Sequence, residues 1–130
     1  MEQFHAAWLR GDVATAIRHV AEHCVYTLYI SEDLLSFGGE TVGRDNIAAV
    51  LHQIRKDFEY LLYRPMNFRE KGDVVRFRVE FMYRHKASGE VLSGHFRFVA
   101  RVENGLITRA DEYHDRAKVE AFLRLFGTKP

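Results

Sequence analysis

Three ionisable residues in the second half of the chain, Arg78, Glu80 and Glu112, are of the types that proton-transfer chemistry uses. One carboxyl group that stays ionised can accept a proton, and a neighbouring one that stays protonated can donate it. Such a pair needs surroundings that separate the two pKa values, and apolar side chains provide them. Because an unpaired buried charge is costly, the arginine would pair with one of the carboxylates. The three residues are therefore the first candidates for a catalytic site.

Whether these residues meet depends on the turns that set the strand register. A three-residue loop at Glu103-Asn104-Gly105 would set Glu112 opposite Phe96 on the preceding strand. The same loop geometry at Ala87-Ser88-Gly89 would pair Lys86 with Glu90 and would set Glu80 opposite Phe96 as well. Opposed residues share a face, so both carboxylates are predicted on one side of the sheet. A two-residue Asn104-Gly105 turn would instead move Glu112 to the other side.

The two faces of the predicted sheet differ in composition. The face with the candidate residues carries Arg78, Glu80, Met82, Phe96, Phe98, Ala110, Glu112 and His114. The opposite face carries Phe77, Val79, Phe81, Tyr83, His95, Arg97, Val99, Arg109, Asp111 and Tyr113. Two interpretations of the first face stay open: a structural ion pair or solvated surface, and a buried acid–base site.

The elements that carry these residues follow from hydrophobic periodicity. Apolar residues at helical spacing predict a helix before Gly11, a second from an Asp12 N-cap to Val20, and a third over 44–58. Alternating segments predict strands at 25–30, 63–69, 74–85, 91–103 and 106–114, with a loop or short hairpin at 31–43. Asp115 begins a last helix that Gly127 ends. Helices followed by a meandering antiparallel sheet predict an α+β fold with the helices on one face of the sheet.

Composition limits the classes of function. The chain has 130 residues, enough for one domain, and its 19 Lys and Arg against 18 Asp and Glu give a formal charge of +1. That balance lacks the basic excess typical of a nucleic-acid-binding protein, and no apolar stretch is long enough for a membrane span. A single cysteine, Cys24, and an N-terminus unlike a secretory signal indicate a reducing compartment. The sequence predicts one cytoplasmic domain over 1–130 without nucleic-acid or membrane partners.

Three segments resemble SnoaL-like domains of the nuclear transport factor 2-like (NTF2-like) superfamily. The helix–Gly-Asp–helix–strand start of those domains is similar to FHAAWLRGDVATAIRHVAEHCVY. Their third helix is similar to GRDNIAAVL at 43–51, and their final strand to NGLITRADEYHD at 104–115. The resemblance implies a cystatin-like cone, in which a curved antiparallel sheet wraps around the N-terminal helices and encloses one apolar pocket. It also implies an apolar small-molecule ligand and a homodimer through the outer sheet face.

Within the superfamily, the arrangement of candidates is similar to that of limonene epoxide hydrolases. Those enzymes carry an Arg-x-Asp on a central strand and an Asp before the Tyr-Phe-Asp that ends the last strand. The corresponding segments here are RVE at 78–80 and EYHD at 112–115, with glutamate in place of each aspartate. The resemblance implies Glu112 as general base, Glu80 as acid and Arg78 as the bridge between them. Tyr29 would help to hold the attacking water.

Other reaction types of the same fold stay open. Ketosteroid isomerases use a carboxylate base with an oxyanion hole of tyrosine and a protonated acid, parts that Glu80 or Glu112 and Tyr29 could play. SnoaL-like cyclases pair an aspartate with a histidine, and Glu112 and His114 are neighbours on one predicted face. The resemblance thus implies a small-molecule acid–base enzyme of isomerase, cyclase or hydrolase type. The alternative is a non-catalytic ligand-binding or dimerisation module of the same fold.

The implied pocket has a predicted lining and no predicted metal. Its lining is expected to comprise Trp8, Phe58, Met82, Phe96, Phe98, Ala110 and His114, beside the catalytic candidates Glu112, Glu80, Arg78 and Tyr29. The histidine spacing matches no metal site, and no cofactor is expected. A cavity below roughly 300 Å³ would be small for a drug-sized ligand and would favour the non-catalytic module.

Overall fold

The computed structural model describes residues 2–35 and 37–125. The helices are α1 (Glu2–Leu9), α2 (Val13–Ile17), α3 (Arg44–Asp57) and α4 (Arg116–Leu125). The strands are β1 (Val20–Leu28), β2 (Gly39–Val42), β3 (Phe58–Lys71), β4 (Val74–His85), β5 (Val91–Glu103) and β6 (Leu106–Tyr113). They form one curved, unclosed sheet in the order β2-β1-β6-β5-β4-β3, in which β1 and β6 are parallel and the other neighbours antiparallel. The predicted α+β fold is confirmed.

The predicted helix starts agree with local hydrogen bonds. The Asp12 carboxylate accepts from the backbone N–H of Thr15 at 3.1 Å and caps α2. The Asp115 carboxylate accepts from the backbone N–H of Lys118 at 3.3 Å at the start of α4. The predicted end of that helix at Gly127 lies outside the described residues.

Two strands begin earlier in the chain than the sequence pattern predicts. α2 ends at Ile17 because sheet pairing replaces the helix there, and the backbone N–H of Ile107 donates to the His19 carbonyl at 2.8 Å. β3 begins at Phe58, directly after α3, because Phe58 adopts an extended backbone with φ −127° and ψ 139°. Pairing between strands distant in the sequence therefore decides where β1 and β3 begin, and local hydrophobic periodicity does not predict such pairing.

The turn between β5 and β6 differs from the prediction without changing the face of β6. Asn104 and Gly105 form a two-residue turn with φ of 54° and 78°, and Glu103 pairs with Leu106. A register shift follows, so that Val102 pairs with Ile107 and Arg101 with Arg109. The shorter turn alone would have moved the β6 side chains to the opposite face of the sheet, and the bulge returns them to the predicted face. Glu112 consequently pairs with Phe98 instead of Phe96 and remains on the predicted face.

The register between β4 and β5 was predicted wrongly, and this error moves three candidate residues. Phe77 pairs with Phe98 and Val79 with Phe96, one residue away from the predicted pairing. Because side chains alternate along a strand, a shift of one residue exchanges the two faces of β4. The residues that exchange to the outer face are Arg78, Glu80 and Met82, and those that move inward are Phe77, Val79, Phe81 and Tyr83.

Two physical causes explain the observed register of β4. Lys86 does not pair with Glu90; its backbone N–H donates to Asp57 and its ammonium donates to the Arg55 carbonyl, each at 2.9 Å. The observed register also buries Phe77, Val79 and Phe81, which are 3%, 0% and 3% exposed. Burial of each such side chain stabilises the fold by about 1.5–3 kcal/mol, whereas burying an arginine or glutamate is costly.

The described helices include none long and apolar enough to cross a membrane. The concave face of the sheet, together with α1, α3 and α4, surrounds the hydrophobic core and the cavity within it.

Candidate functional site

The cavity inside the cone has a volume of about 110 Å³. Its described lining is aromatic and aliphatic, with Glu112 as the sole Asp, Glu, Lys or Arg. Six of the seven predicted lining residues are present: Trp8, Phe58, Phe96, Phe98, Ala110 and His114. Met82 does not line the cavity, because the β4 register places its side chain on the outer face with 36% exposed.

Glu112 is the carboxylate that the fold places in this cavity. It lies on β6, between Leu28 of β1 and Phe98 of β5 in the register of the sheet. Its side chain is 16% exposed. Oε2 accepts a hydrogen bond from the Tyr26 hydroxyl at 2.5 Å, and Oε1 lies 3.1 Å from His114 Nε2. Burying a carboxylate is costly unless hydrogen bonds replace those to water, and these two partners supply such hydrogen bonds.

His114 links the carboxylate to the apolar wall of the cavity. Its side chain is 8% exposed, and its ring stacks on Phe96 with the centroids 4.5 Å apart. In the neutral tautomer in which Nε2 donates to the Glu112 carboxylate, the lone pair of the imidazole lies on Nδ1. Nδ1 is buried and has no hydrogen-bond partner among the described residues. This nitrogen is therefore available to a molecule that enters the cavity.

Four tyrosines surround the carboxylate and remain protonated at neutral pH. Burial raises the pKa of Tyr26, Tyr60, Tyr63 and Tyr83, and the negative charge of Glu112 raises each of them further. The charge of Glu112 therefore contributes to the pKa of all four tyrosines, after the larger effect of burial. The tyrosines can donate hydrogen bonds there and do not act as phenolate bases.

A cation lies behind two of the lining rings. The guanidinium carbon of Arg55 is 4.6 Å from the centre of the Trp8 ring and 4.4 Å from that of Tyr60. Its Nε and Nη2 atoms are buried without a hydrogen-bond partner among the described residues, so the ring faces supply the interaction that holds them.

The predicted grouping of Arg78 and Glu80 with Glu112 is wrong, because the two residues lie on the outer face. Glu80 pairs there with Arg64 and lies 3.9 Å from His95 Nε2. Arg78 is exposed and lies opposite Arg97. The two-carboxylate arrangement that the sequence suggested is therefore not formed in this cavity.

Tyr29 also lies away from the cavity, and Tyr26 takes the predicted position of a tyrosine beside the carboxylate. The Tyr29 hydroxyl donates to Asp111 Oδ1 at 3.1 Å, and its ring stacks on Tyr113 at 4.5 Å. Buried Cys24, Tyr26 and Leu28 alternate along β1, and this alternation was the sequence signal that could have identified Tyr26.

The described residues contain no group of three or more His, Cys, Asp or Glu side chains that could hold a metal ion. Cys24 is 2% exposed, and burial raises the pKa of its thiol to about 11, as expected for a small buried residue without nucleophilic character.

Solved structures with the same fold are numerous, and many of them cover almost the whole chain, including the following three. An NTF2-like protein from Burkholderia pseudomallei has a TM-score of 0.82 at 19% identity, covering 95% of this chain and 93% of that one. A protein with a cystatin-like fold from Xanthomonas campestris has a TM-score of 0.81 at 19% identity, with coverages of 94% and 93%. A ketosteroid isomerase-like protein from Catenulispora acidiphila, in complex with trimethylamine, has a TM-score of 0.79 at 15% identity, with coverages of 98% and 95%.

At these identities the structural matches show the fold alone, and they confirm the predicted cystatin-like, NTF2-like cone. No curated protein matches the chain. The family model for the SnoaL-like domain matches residues 1–110, which include both N-terminal helices, α3 and most of the sheet that forms the cavity. The chain therefore belongs to the SnoaL-like domain family.

Proposed function

We propose that this protein is a small-molecule acid–base enzyme that works in its cavity through Glu112. The observation that carries the proposal is the hydrogen-bonded set of Tyr26, Glu112 and His114 in an otherwise apolar enclosure. A carboxylate and an imidazole held together in a largely apolar site can accept a proton from a substrate and return it at a neighbouring atom.

Each of the three residues would have a separate part. Glu112 would act as the base, and the Tyr26 hydroxyl would stabilise its ionised form. His114 would supply a second proton-exchanging atom through its open Nδ1.

The outward position of Glu80 favours proton shuttling of the isomerase or cyclase type over epoxide hydrolysis. The hydrolase-like mechanism needs a second carboxyl group to protonate the epoxide oxygen, and Glu80 is paired with Arg64 on the other face. Deprotonation and reprotonation of a carbon acid can run on one carboxylate base when a neighbouring imidazole or hydroxyl group takes the place of the second acid.

The volume of the cavity favours a small ligand. An apolar cavity of roughly 150 Å³ accommodates benzene, so 110 Å³ suits a molecule of somewhat smaller size. The Catenulispora protein was solved with trimethylamine, and a ligand of that size suits this cavity.

The second candidate function is ligand binding without turnover. A cavity of 110 Å³ is below the volume of roughly 300 Å³ at which drug-sized ligand pockets begin. On this alternative, Tyr26 and His114 satisfy the buried carboxylate and do nothing further.

Deuterium exchange of a small carbon acid tests the proposal. Acetone in D₂O is followed by proton NMR with the wild-type protein, with Glu112→Gln, and with Glu80→Gln as the matched outer-face control. We expect acceleration by the wild type and by Glu80→Gln, and a loss of about 10²-fold or more in Glu112→Gln. Equal exchange rates for the wild type and Glu112→Gln would favour binding without turnover.

A further inference from the structure

Resting on the proposed function of the same cavity, we propose that it selects a small alkylammonium ion over neutral and anionic molecules of similar size. The cation would be the substrate or the head group of a substrate.

The charge of the lining favours a cation. Among the described lining residues Glu112 is the sole Asp, Glu, Lys or Arg, and at the hydroxyls of Tyr60 and Tyr63 its effect on the pKa exceeds the opposite effect of Arg55. Entry of an anion would place two negative charges in a medium of low polarity, which is unfavourable.

The rings around the carboxylate provide the other half of a cation site. Trp8, Tyr26, Tyr60 and Tyr63 all line the cavity, and the faces of aromatic rings attract cations. The Arg55 guanidinium already lies over one face of Trp8 and of Tyr60, so a ligand cation would contact their opposite faces or the rings of Tyr26 and Tyr63. Cages of aromatic side chains are a recognised solution for binding alkylated ammonium groups.

Size and hydrogen-bonding capacity fit the same ligand. Scaled from the benzene-sized cavity of roughly 150 Å³, a volume of 110 Å³ holds about four or five non-hydrogen atoms. An ionised carboxylate has about four acceptor positions, and the described contacts of Glu112 from Tyr26 and His114 use two of them. The remaining positions can accept an ammonium N–H or lie against a methylated ammonium.

Binding of three molecules of similar size to the wild-type protein tests the inference without any substitution. The probes are tetramethylammonium chloride, tert-butanol and sodium acetate, at pH 8 and constant ionic strength, with dissociation constants from NMR shift titrations. We expect the cation to bind at least about tenfold more tightly than tert-butanol, and acetate to bind most weakly. Equal or tighter binding of tert-butanol or acetate, or no saturable binding of the cation, would overturn the inference.

The second part of the experiment removes the charge of Glu112 while keeping the shape of its side chain. Glu112→Gln should reduce the preference for tetramethylammonium over tert-butanol to less than about threefold, whereas Glu80→Gln should leave it unchanged. An unchanged preference in Glu112→Gln contradicts the inference.

The two proposals fail separately. Acetone exchange that depends on Glu112, without selective binding of the cation, removes the ammonium selectivity and leaves the proposed function. Selective binding of the cation, with equal acetone exchange in the wild type and Glu112→Gln, removes the proposed function and leaves the ammonium selectivity.

Discussion

Glu112 is a carboxylate whose surroundings are mostly aromatic rings, and few hydrogen-bond donors compensate for its burial. The Tyr26 hydroxyl at 2.5 Å and His114 Nε2 at 3.1 Å are the side-chain partners among the described residues. In a site of low polarity the loss of either partner leaves a buried charge with less compensation.

The first prediction concerns the donor at Tyr26. Tyr26→Phe removes the hydroxyl from a buried carboxylate, and we expect the free energy of unfolding to fall by about 1.5–3 kcal/mol, measured by urea denaturation at pH 7. Tyr29→Phe is the matched control, because the Tyr29 hydroxyl bonds to Asp111 on the outer face, and it should cost less. A larger loss in Tyr29→Phe than in Tyr26→Phe would contradict the placement of the two tyrosines.

A second prediction follows from the raised pKa of the buried tyrosines. In Tyr26, Tyr60, Tyr63 and Tyr83 the folded-state pKa lies above the ordinary value of 10.0. The unfolded chain therefore loses these protons first as pH rises, and the stabilisation is complete below about pH 10 and declines above it. Absorbance at 295 nm should show these four phenols ionising only together with unfolding. Ionisation of all six tyrosines in the folded protein near pH 10 would contradict their burial.

At the scale of single residues, the sequence placed the cavity carboxylate and its histidine neighbour on the correct face but chose the wrong tyrosine. Glu112 and His114 were predicted on the face of Ala110 from the register that a three-residue loop at 103–105 would set, and the bulge in β6 keeps Glu112 on that face. Side chains alternate between the two faces of a sheet, and Tyr29 is an odd number of residues, three, from Tyr26. The two tyrosines therefore lie on opposite faces of the sheet. The alternation of buried residues on β1 carried the necessary information.

β4 is the element that decides which side chains meet in the cavity. Its inner face contributes Phe81 and Tyr83 to the lining, and its outer face carries Arg78, Glu80 and Met82. The predicted register relied on a three-residue loop and on a Lys86–Glu90 pair. Neither feature is formed, because Lys86 instead donates hydrogen bonds to the carbonyl groups of residues 55 and 57 in α3.

The third prediction tests that register by truncation of neighbouring side chains. Phe81→Ala should lower the free energy of unfolding by about 3–5 kcal/mol, because the ring is 3% exposed in the core. Met82→Ala should cost less than about 1 kcal/mol, because Met82 is 36% exposed on the outer face. The predicted sequence register would reverse this order, so a larger loss in Met82→Ala contradicts the structure.

Sequence periodicity located most of the elements because helices and strands have different repeat lengths, but it did not fix the β4 register. The alternating apolar residues at 77, 79, 81 and 83 indicate the buried face more strongly than the loop geometry does, since together they bury four large side chains. Local turn rules were outweighed by the hydrophobic effect.

The resemblance to SnoaL-like domains implies a homodimer through the outer face of the sheet. We propose that two copies of the chain associate through this face. The face opposes Arg78 to Arg97 and Arg101 to Arg109 across neighbouring strands. Two copies that meet on this face bring arginines towards each other. Screening by salt should therefore strengthen the association.

Sedimentation velocity at several protein concentrations measures this fourth prediction. We expect the dimer dissociation constant to decrease when NaCl is raised from about 0.05 to about 0.5 M, because the screening length falls from above 10 Å to a few ångströms. Glu112→Gln, inside the cone, should leave the constant unchanged. A protein that remains monomeric at all concentrations and salt levels would contradict the proposed assembly.

The central claim is that Tyr26, Glu112 and His114 form one hydrogen-bonded set inside the cone, with Nε2 of the histidine donating to the carboxylate. Long-range proton–nitrogen NMR of the imidazole groups at pH 8 measures this most directly, because it distinguishes the two neutral tautomers without a substrate. We predict that His114 carries its proton on Nε2 in the wild type, and that Glu112→Gln alters the His114 signals while Glu80→Gln does not. A His114 protonated on Nδ1, or one whose signals ignore the substitution at Glu112, would contradict the account.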